Sequence, residues 1–191
     1  LGSCVLLENL YMSDTNQVLP ASVAKLENIV SMTLKLWNDE IDYSPFFSSL
    51  ALLPNLKRLY FEEYHLLTFP DTIGELTHLE ELIIRQNHVA SLPDTMRKLT
   101  SLKVLRFSAS QYQRGELTRI PDWIGELIHL EELSCPFNKL IYISPATASL
   151  KKLKKVDLHC NWKLFEQCEL PSFQNLPELE FLDLDSTDMK E

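Results

Sequence analysis

A repeated frame of apolar positions constrains the fold of this chain more than any other feature. Residues 66–89 read LLTFPDTIGELTHLEELIIRQNHV, and residues 117–140 read LTRIPDWIGELIHLEELSCPFNKL. The two stretches share a Pro-Asp pair, an Ile-Gly pair, four leucines and an asparagine. Their longest run of differences covers four adjacent positions, IIRQ at 83–86 against SCPF at 134–137. Such self-similarity indicates stacked units that share a scaffold and vary at a surface.

The full frame is L-x-x-L-x-L-x-x-N-x-L-x-x-L-P-x-x-I-x-x-L-x-x. It closes in 23 residues from each of residues 56, 79 and 130, and in irregular lengths elsewhere. We therefore predict a single domain spanning 1–191, built from about eight coils. The predicted coil starts lie near residues 7, 29, 56, 79, 102, 130, 153 and 179.

Each part of the frame predicts a local structure. The L-x-L segment has a period of two, which is typical of a short strand, and the strands of successive coils would pair in parallel. Asn87, Asn138 and Asn161 follow the strands, where a buried amide can bond the backbone of neighbouring coils. In the return path, Pro and Asp suit the first turn of a short helix or 3₁₀ segment. Each coil would be stable only against its neighbours.

Composition excludes several classes of partner. The formal net charge of −9 argues against nucleic acid and against an anionic membrane surface. No apolar run approaches the ~20 residues of a membrane span. The cysteines form no C-x-x-C pair, and no asparagine begins a glycosylation sequon, so we expect a cytoplasmic location. Because the chain starts without Met, we expect a fragment or a processed form of a larger protein.

The frame resembles that of leucine-rich repeat proteins over nearly the full chain. The LPxxIGxL return, as in FPDTIGEL and IPDWIGEL, resembles a subtype of plant, Ras-associated and bacterial repeat proteins. LPNLKRLYF (53–61) and LPELEFLDL (176–184) follow overlong coils, as in plant intracellular immune receptors. Bacterial host-directed effectors are the rival resemblance, and such a protein would be secreted into the host cell. The resemblance implies a curved, right-handed α/β solenoid with a concave parallel sheet and convex 3₁₀ segments.

Motifs for catalysis are not found. The sequence contains no phosphate-binding loop and no nucleophile elbow, and it has only four glycines. His159 and Cys160 are adjacent, but neighbouring strand residues point to opposite faces. We predict no enzymatic activity, no cofactor and no metal site.

The variable positions around the inner leucine are expected to face the concave side. They bring aromatic, arginine and exposed aliphatic residues to mid-array, a composition typical of protein-binding hot spots. The predicted protein-binding residues are Tyr60, Glu62, Ile83, Arg85, Arg106, Phe137 and His159. The five-residue insertion within SASQYQRGE (108–116) would place Tyr112 and Arg114 at the rim. Three aspartates make the C-terminal end acidic, which favours a ligand with a basic flank: Asp157, Asp183 and Asp185.

Two functional interpretations follow. The first is a non-enzymatic module that binds a protein ligand through the concave face. The second is a sensing or autoregulatory repeat domain within a larger immune receptor or bacterial effector, which would contact other domains of the same polypeptide. No polar capping module flanks the repeats, so we expect neighbouring segments or irregular shielding to cover the end coils.

Overall fold

A parallel β-sheet built from one strand per coil dominates the structure. This computed structural model describes residues 6–13, 23, 25–36, 42–63, 68–86, 88–109, 115–164 and 169–185. The strands of this described part are β1 (Asn9–Ser13), β2 (Ser31–Leu36), β3 (Arg58–Glu63), β4 (Glu81–Arg85), β5 (Val104–Ser108), β6 (Arg119–Ile120), β7 (Glu132–Ser134), β8 (Tyr142–Ile143), β9 (Lys155–Asp157) and β10 (Phe181–Asp183).

Eight of these strands form one parallel sheet in the order β1-β2-β3-β4-β5-β7-β9-β10. Each begins two residues after a coil start identified from the frame. The small strands β6 and β8 pair with each other away from the main sheet. The frame leucines stand in register, so that Leu59 lies opposite Leu82, which lies opposite Leu105. All three are fully buried, so the apolar positions of the frame form a continuous core.

The longer second coil is filled by the helix α1 (Ser44–Leu50), which carries Pro45 in its first turn. Its Phe47 ring packs between two other rings, with centroid distances of 5.6 Å to Phe61 and 5.8 Å to Phe69. Phe69 in turn contacts Phe107 at 6.1 Å. The helix therefore inserts an aromatic side chain into the core that the regular coils share.

Five return paths in the described part of the chain are 3₁₀ segments, as predicted. They comprise Asp71–Glu75, Asp94–Lys98, Asp122–Glu126, Pro145–Ser149 and Phe173–Asn175. In the Pro-Asp coils the aspartate lies in the first turn, as predicted, but the proline does not. It lies just before the segment in extended backbone, and its carbonyl accepts the first hydrogen bond, as from Ile73 N to Pro70 O at 3.0 Å.

The Ile-Gly pair of the return path is required by close packing between coils. A Cβ atom on Gly74 would lie 2.5 Å from the backbone oxygen of Thr95 in the next coil. A Cβ atom on Gly125 would lie 2.9 Å from the Cβ atom of Ala146. Only glycine therefore lets these return segments approach without displacement.

The predicted α/β solenoid, with its parallel sheet and its 3₁₀ return paths, is confirmed. No helix in the described part of the chain combines the length and the apolar character needed to cross a membrane. The single-domain organisation and the origin of the chain as a fragment stay predictions.

Candidate protein-interaction surface

Buried asparagines close the turns that follow β7 and β9. Asn138 Nδ2 donates to Cys135 O at 3.1 Å within its own coil and to Phe107 O at 2.8 Å in the preceding coil. Asn161 Nδ2 likewise reaches back to Cys135 O at 2.9 Å, and its Oδ1 accepts from Leu140 N at 3.1 Å. Both amides therefore join neighbouring coils, as the frame predicted. Asn87 lies outside the described residues.

The residue before each frame asparagine adopts a left-handed backbone conformation. The φ angles are 52° for Gln86, 58° for Phe137 and 58° for Cys160. This region costs an L-residue roughly 1–2 kcal/mol, and after Phe137 and Cys160 the amide bonds of Asn138 and Asn161 offset that cost. The sequence does not signal this conformation, because none of the three residues is glycine. In this conformation the Phe137 ring contacts the His159 ring edge-on, with a centroid distance of 4.7 Å and an interplanar angle of 82°.

The outward strand positions form rows along the concave face, which we define as the side lined by the first, third and fifth residues of the strands. The central row pairs Tyr60 with Ile83 and Ile83 with Arg106. It continues through Ser134, Asp157 and Asp183. The structure thus brings the predicted residues of β3, β4 and β5 side by side.

A shallow depression opens on the N-terminal half of this face, with a volume of about 220 Å³. We call it the β3–β4 depression, and its lining residues are Thr33, Tyr60, Phe61, Ile83 and Arg85. Arg85 is exposed and forms no hydrogen bond or ion pair with the described residues. Glu62 pairs with Arg85 through the strand register, but its side chain lies outside the described part.

Ile83 was predicted to be exposed, and this prediction is wrong, because its exposed fraction is 6%. Its neighbours in the row stand about 4.8 Å away on either side and are held by hydrogen bonds. Tyr60 Oη donates to Glu81 Oε2 at 2.8 Å, and Arg106 Nη2 donates to Glu132 Oε2 at 2.6 Å. Ile83 consequently forms the floor of the depression and not a protruding contact.

Two further predicted residues, Tyr60 and Arg106, already form hydrogen bonds with acidic residues of neighbouring strands. Burial and the hydrogen bond to Glu81 raise the pKa of Tyr60. Arg106 is balanced by Glu132, whose Oε1 lies 3.1 Å from Lys155 Nζ. Compared with Arg106, Arg85 has the more available charge as far as the described residues show.

An acidic cluster occupies the C-terminal half of the concave face. His159 Nδ1 lies 2.6 Å from Asp157 Oδ1 and 4.0 Å from Asp183 Oδ2. Asp157 Oδ2 also accepts from Ser134 Oγ at 3.2 Å, while Asp185 is exposed. One potential ligand atom from each of Asp157, His159 and Asp183 lies within 4.8 Å of the others. We assign no metal to the cluster, because acidic groups at a protein surface commonly lie this close together without an ion.

The insertion after β5 begins and ends beside Phe137. Ala109 N donates to Pro136 O at 3.4 Å, and Gly115 N donates to Phe137 O at 2.8 Å. A Cβ atom on Gly115 would lie 2.0 Å from Asn138 Oδ1, so glycine is required there. Tyr112 and Arg114 themselves lie outside the described residues, and their place at the rim stays a prediction.

The two repeats at 66–89 and 117–140 have the same degree of burial at the inward position of their varied segments, although the residue types differ. Ile84 and Cys135 occupy the same inward slot, and both are fully buried. Burial raises the pKa of the Cys135 thiol to about 12. The outward residues beside them, Ile83 and Ser134, are also largely covered. Exposure of the varied segment is therefore concentrated at Arg85, Gln86 and Phe137.

Comparison with solved structures finds the same fold in proteins of low sequence identity. The plant peptide hormone receptor RGFR1 in complex with RGF2 matches 93% of this chain and 26% of its own, with 20% identity and a TM-score of 0.64. The TLR13–ssRNA13 complex matches 96% and 26%, with 23% identity and a TM-score of 0.68. The leucine-rich repeat domain of the type III effector XopL matches 95% and 70%, with 17% identity and a TM-score of 0.64.

The chain thus spans about a quarter of the two receptor chains that it matches. No curated protein sequence matches it significantly. The family profile described as "Leucine-rich repeat region" matches residues 33–191, which is most of the chain. Together with the frame, the parallel sheet and the asparagine turns, this match shows that the chain belongs to the leucine-rich repeat family.

Proposed function

We propose that this chain is a non-enzymatic recognition module that binds a protein ligand through its concave face. One observation carries the proposal: Arg85 is exposed, makes no hydrogen bond or ion pair with the described residues, and stands over a depression lined by Tyr60 and Ile83. An arginine and a tyrosine beside an apolar floor have the composition of binding hot spots. The neighbouring Phe137 and His159 rings extend the same face.

The solved neighbours support binding by this fold but do not identify the ligand. RGFR1 was solved with RGF2, and TLR13 with a single-stranded RNA. The fold alone therefore does not support the exclusion of nucleic acid. The net charge of −9 favours protein over RNA, because RNA binding needs clustered cations.

Affinity capture with matched variants tests the proposal. The concave variant carries Ala at Tyr60, Arg85, Arg106 and Phe137. The convex control carries Ala at Arg97, Ile128, His129 and Lys152, which are exposed on or beside the return paths. We expect the wild type and the convex control to capture the same protein from extracts of the source cell, treated with ribonuclease, and the concave variant to lose it.

Both variants must first show cooperative unfolding transitions close to that of the wild type. If the folded concave variant still captures the protein, the site is wrong. A parallel capture from untreated extract is the comparison: if material is captured only without ribonuclease, the ligand is RNA and the proposed ligand class is wrong.

A second candidate function is an autoregulatory domain that packs on other parts of the same cytoplasmic polypeptide, in an immune receptor or an effector delivered into a host cell. The last described strand favours it, because Phe181 and Leu182 are 45% and 42% exposed although Leu182 occupies an inward slot of the frame. Hydrogen exchange of β10 and of the concave face, with and without the flanking sequence, distinguishes the two functions. Protection of β3 and β4 by the flanking sequence would favour autoregulation.

A further inference from the structure

The two halves of the concave face carry opposite charge. On β2 to β5, the outward positions hold four cations and two acids, which are Lys35, Arg58, Arg85 and Arg106 against Glu62 and Glu81. On β7, β9, β10 and the turn after β10, the outward positions hold one cation and four acids, which are Lys155 against Glu132, Asp157, Asp183 and Asp185. A ligand that crosses the strands therefore meets a change of sign midway.

The β3–β4 depression has the size of a single side chain. Its volume of about 220 Å³ falls below the roughly 300 Å³ at which pockets for small molecules begin. Ile83 at its floor and the ring of Tyr60 at its wall offer apolar contact, while the charge of Arg85, which pairs with no described residue, stands at its rim. These features fit one large apolar side chain that lies next to a carboxylate.

We propose that the concave face takes an extended peptide segment that runs across the strands. A large apolar residue beside an acidic residue would occupy the β3–β4 depression, and a lysine or arginine would reach the acidic cluster of Asp157, Asp183 and Asp185. This inference rests on the proposed function and specifies the chemistry of its ligand. Opposed charges along one surface also orient a ligand and penalise the reversed alignment.

The geometry of the sheet fixes the spacing within that segment. The steps from β4 to β9 and to β10 are three and four strands in the sheet order. At about 4.8 Å per strand, these steps span roughly 14 to 19 Å. An extended peptide advances about 3.3 Å per residue, so the apolar–acidic pair and the basic residue are separated by about four to six residues.

Selection from a displayed library of random peptides of about twelve residues tests this pattern. The wild-type chain should enrich peptides with an apolar–acidic pair and a basic residue about four to six positions away, in one of the two chain directions. Arg85→Glu should weaken a selected peptide about tenfold or more. Replacing the acidic residue of that peptide by lysine should restore binding to the variant.

Lys98→Glu is the matched control, because Lys98 is an exposed convex lysine without an ion pair among the described residues. It should bind the selected peptides as the wild type does. The double variant Asp183→Lys/Asp185→Lys should reverse the preference at the basic end of the peptide. Enriched peptides without this spacing, or equal losses for Arg85→Glu and Lys98→Glu, would overturn the inference. Loss of protein capture in the concave variant would in that case leave the proposed function standing.

Discussion

The asparagine turns and the concave face are built by neighbouring residues of the same coils, yet they obey different constraints. Asn138 and Asn161 are 0% and 1% exposed, and their amides bond the backbone of adjacent coils. Arg85, only a few positions from the frame asparagine of its own coil, is exposed and bonds no described residue. A coil must therefore keep its turn in order to stack, while its outward residues can change without loss of the core.

The largest loss of stability is expected for Asn138→Ala. The substitution leaves Phe107 O, Cys135 O and Pro136 O without their amide donor in a buried site. Each unsatisfied buried group costs about 1–3 kcal/mol, so the three groups predict a loss of at least about 3 kcal/mol in the free energy of unfolding. Denaturant titration measures it.

Asn175→Ala is the matched control, because Asn175 is exposed and its amide makes only a 3.3 Å contact with Ser172 Oγ. We expect a change within about 0.5 kcal/mol. Similar free energies of unfolding for the two variants would remove the special role of the asparagine turns.

A smaller loss is expected for Gly74→Ala, which tests the packing of return segments. The new Cβ atom would meet Thr95 O at 2.5 Å, so one coil must shift against the next. Overpacking of this kind costs about 1–3 kcal/mol. Thr77→Ala, at an exposed position just after the same segment, should leave the thermal transition unchanged. An unchanged transition in both variants would show that the return paths are not closely packed.

The smallest effect is expected for Glu80→Gln, which breaks an exposed bridge between three coils. Glu80 Oε1 lies 2.7 Å from Lys57 Nζ, and its Oε2 lies 2.6 Å from Lys103 Nζ. These bonds, that of Lys103 first, lower the pKa of Glu80 below 4.5. The carboxylate therefore stabilises the fold above pH 4.5, and its contribution is lost as pH falls through the lowered value.

We accordingly expect Glu80→Gln to lower the free energy of unfolding by about 0.2–1 kcal/mol at neutral pH. The difference from the wild type should diminish between neutral pH and an acidic pH well below 4.5, as the carboxylate is protonated. Denaturant titrations at both pH values measure it, with Glu75→Gln as the exposed control on a return segment. A loss that persists in acid would assign the effect to packing and not to charge.

The sequence predicts the framework well because each coil repeats the same physical problem. Period-two leucines, the return proline and the turn asparagine recur at fixed spacing. An irregular coil can therefore be assigned by alignment with the regular coils. The concave face is harder to predict because exposure there depends on neighbours across the sheet. Ile83 is buried by side chains from β3 and β5, which lie more than 20 residues away along the chain. The left-handed backbone of Phe137 carries no glycine to signal it.

Parallel measurement of folding and binding for Arg85→Glu tests the central claim most directly. The free energy of unfolding should stay within about 0.5 kcal/mol of the wild type, because Arg85 bonds no described residue. The affinity for the captured protein, measured by titration with the purified ligand, should fall about tenfold or more. A stability loss comparable to that of Asn138→Ala, or an unchanged affinity, would contradict the separation of scaffold and recognition surface.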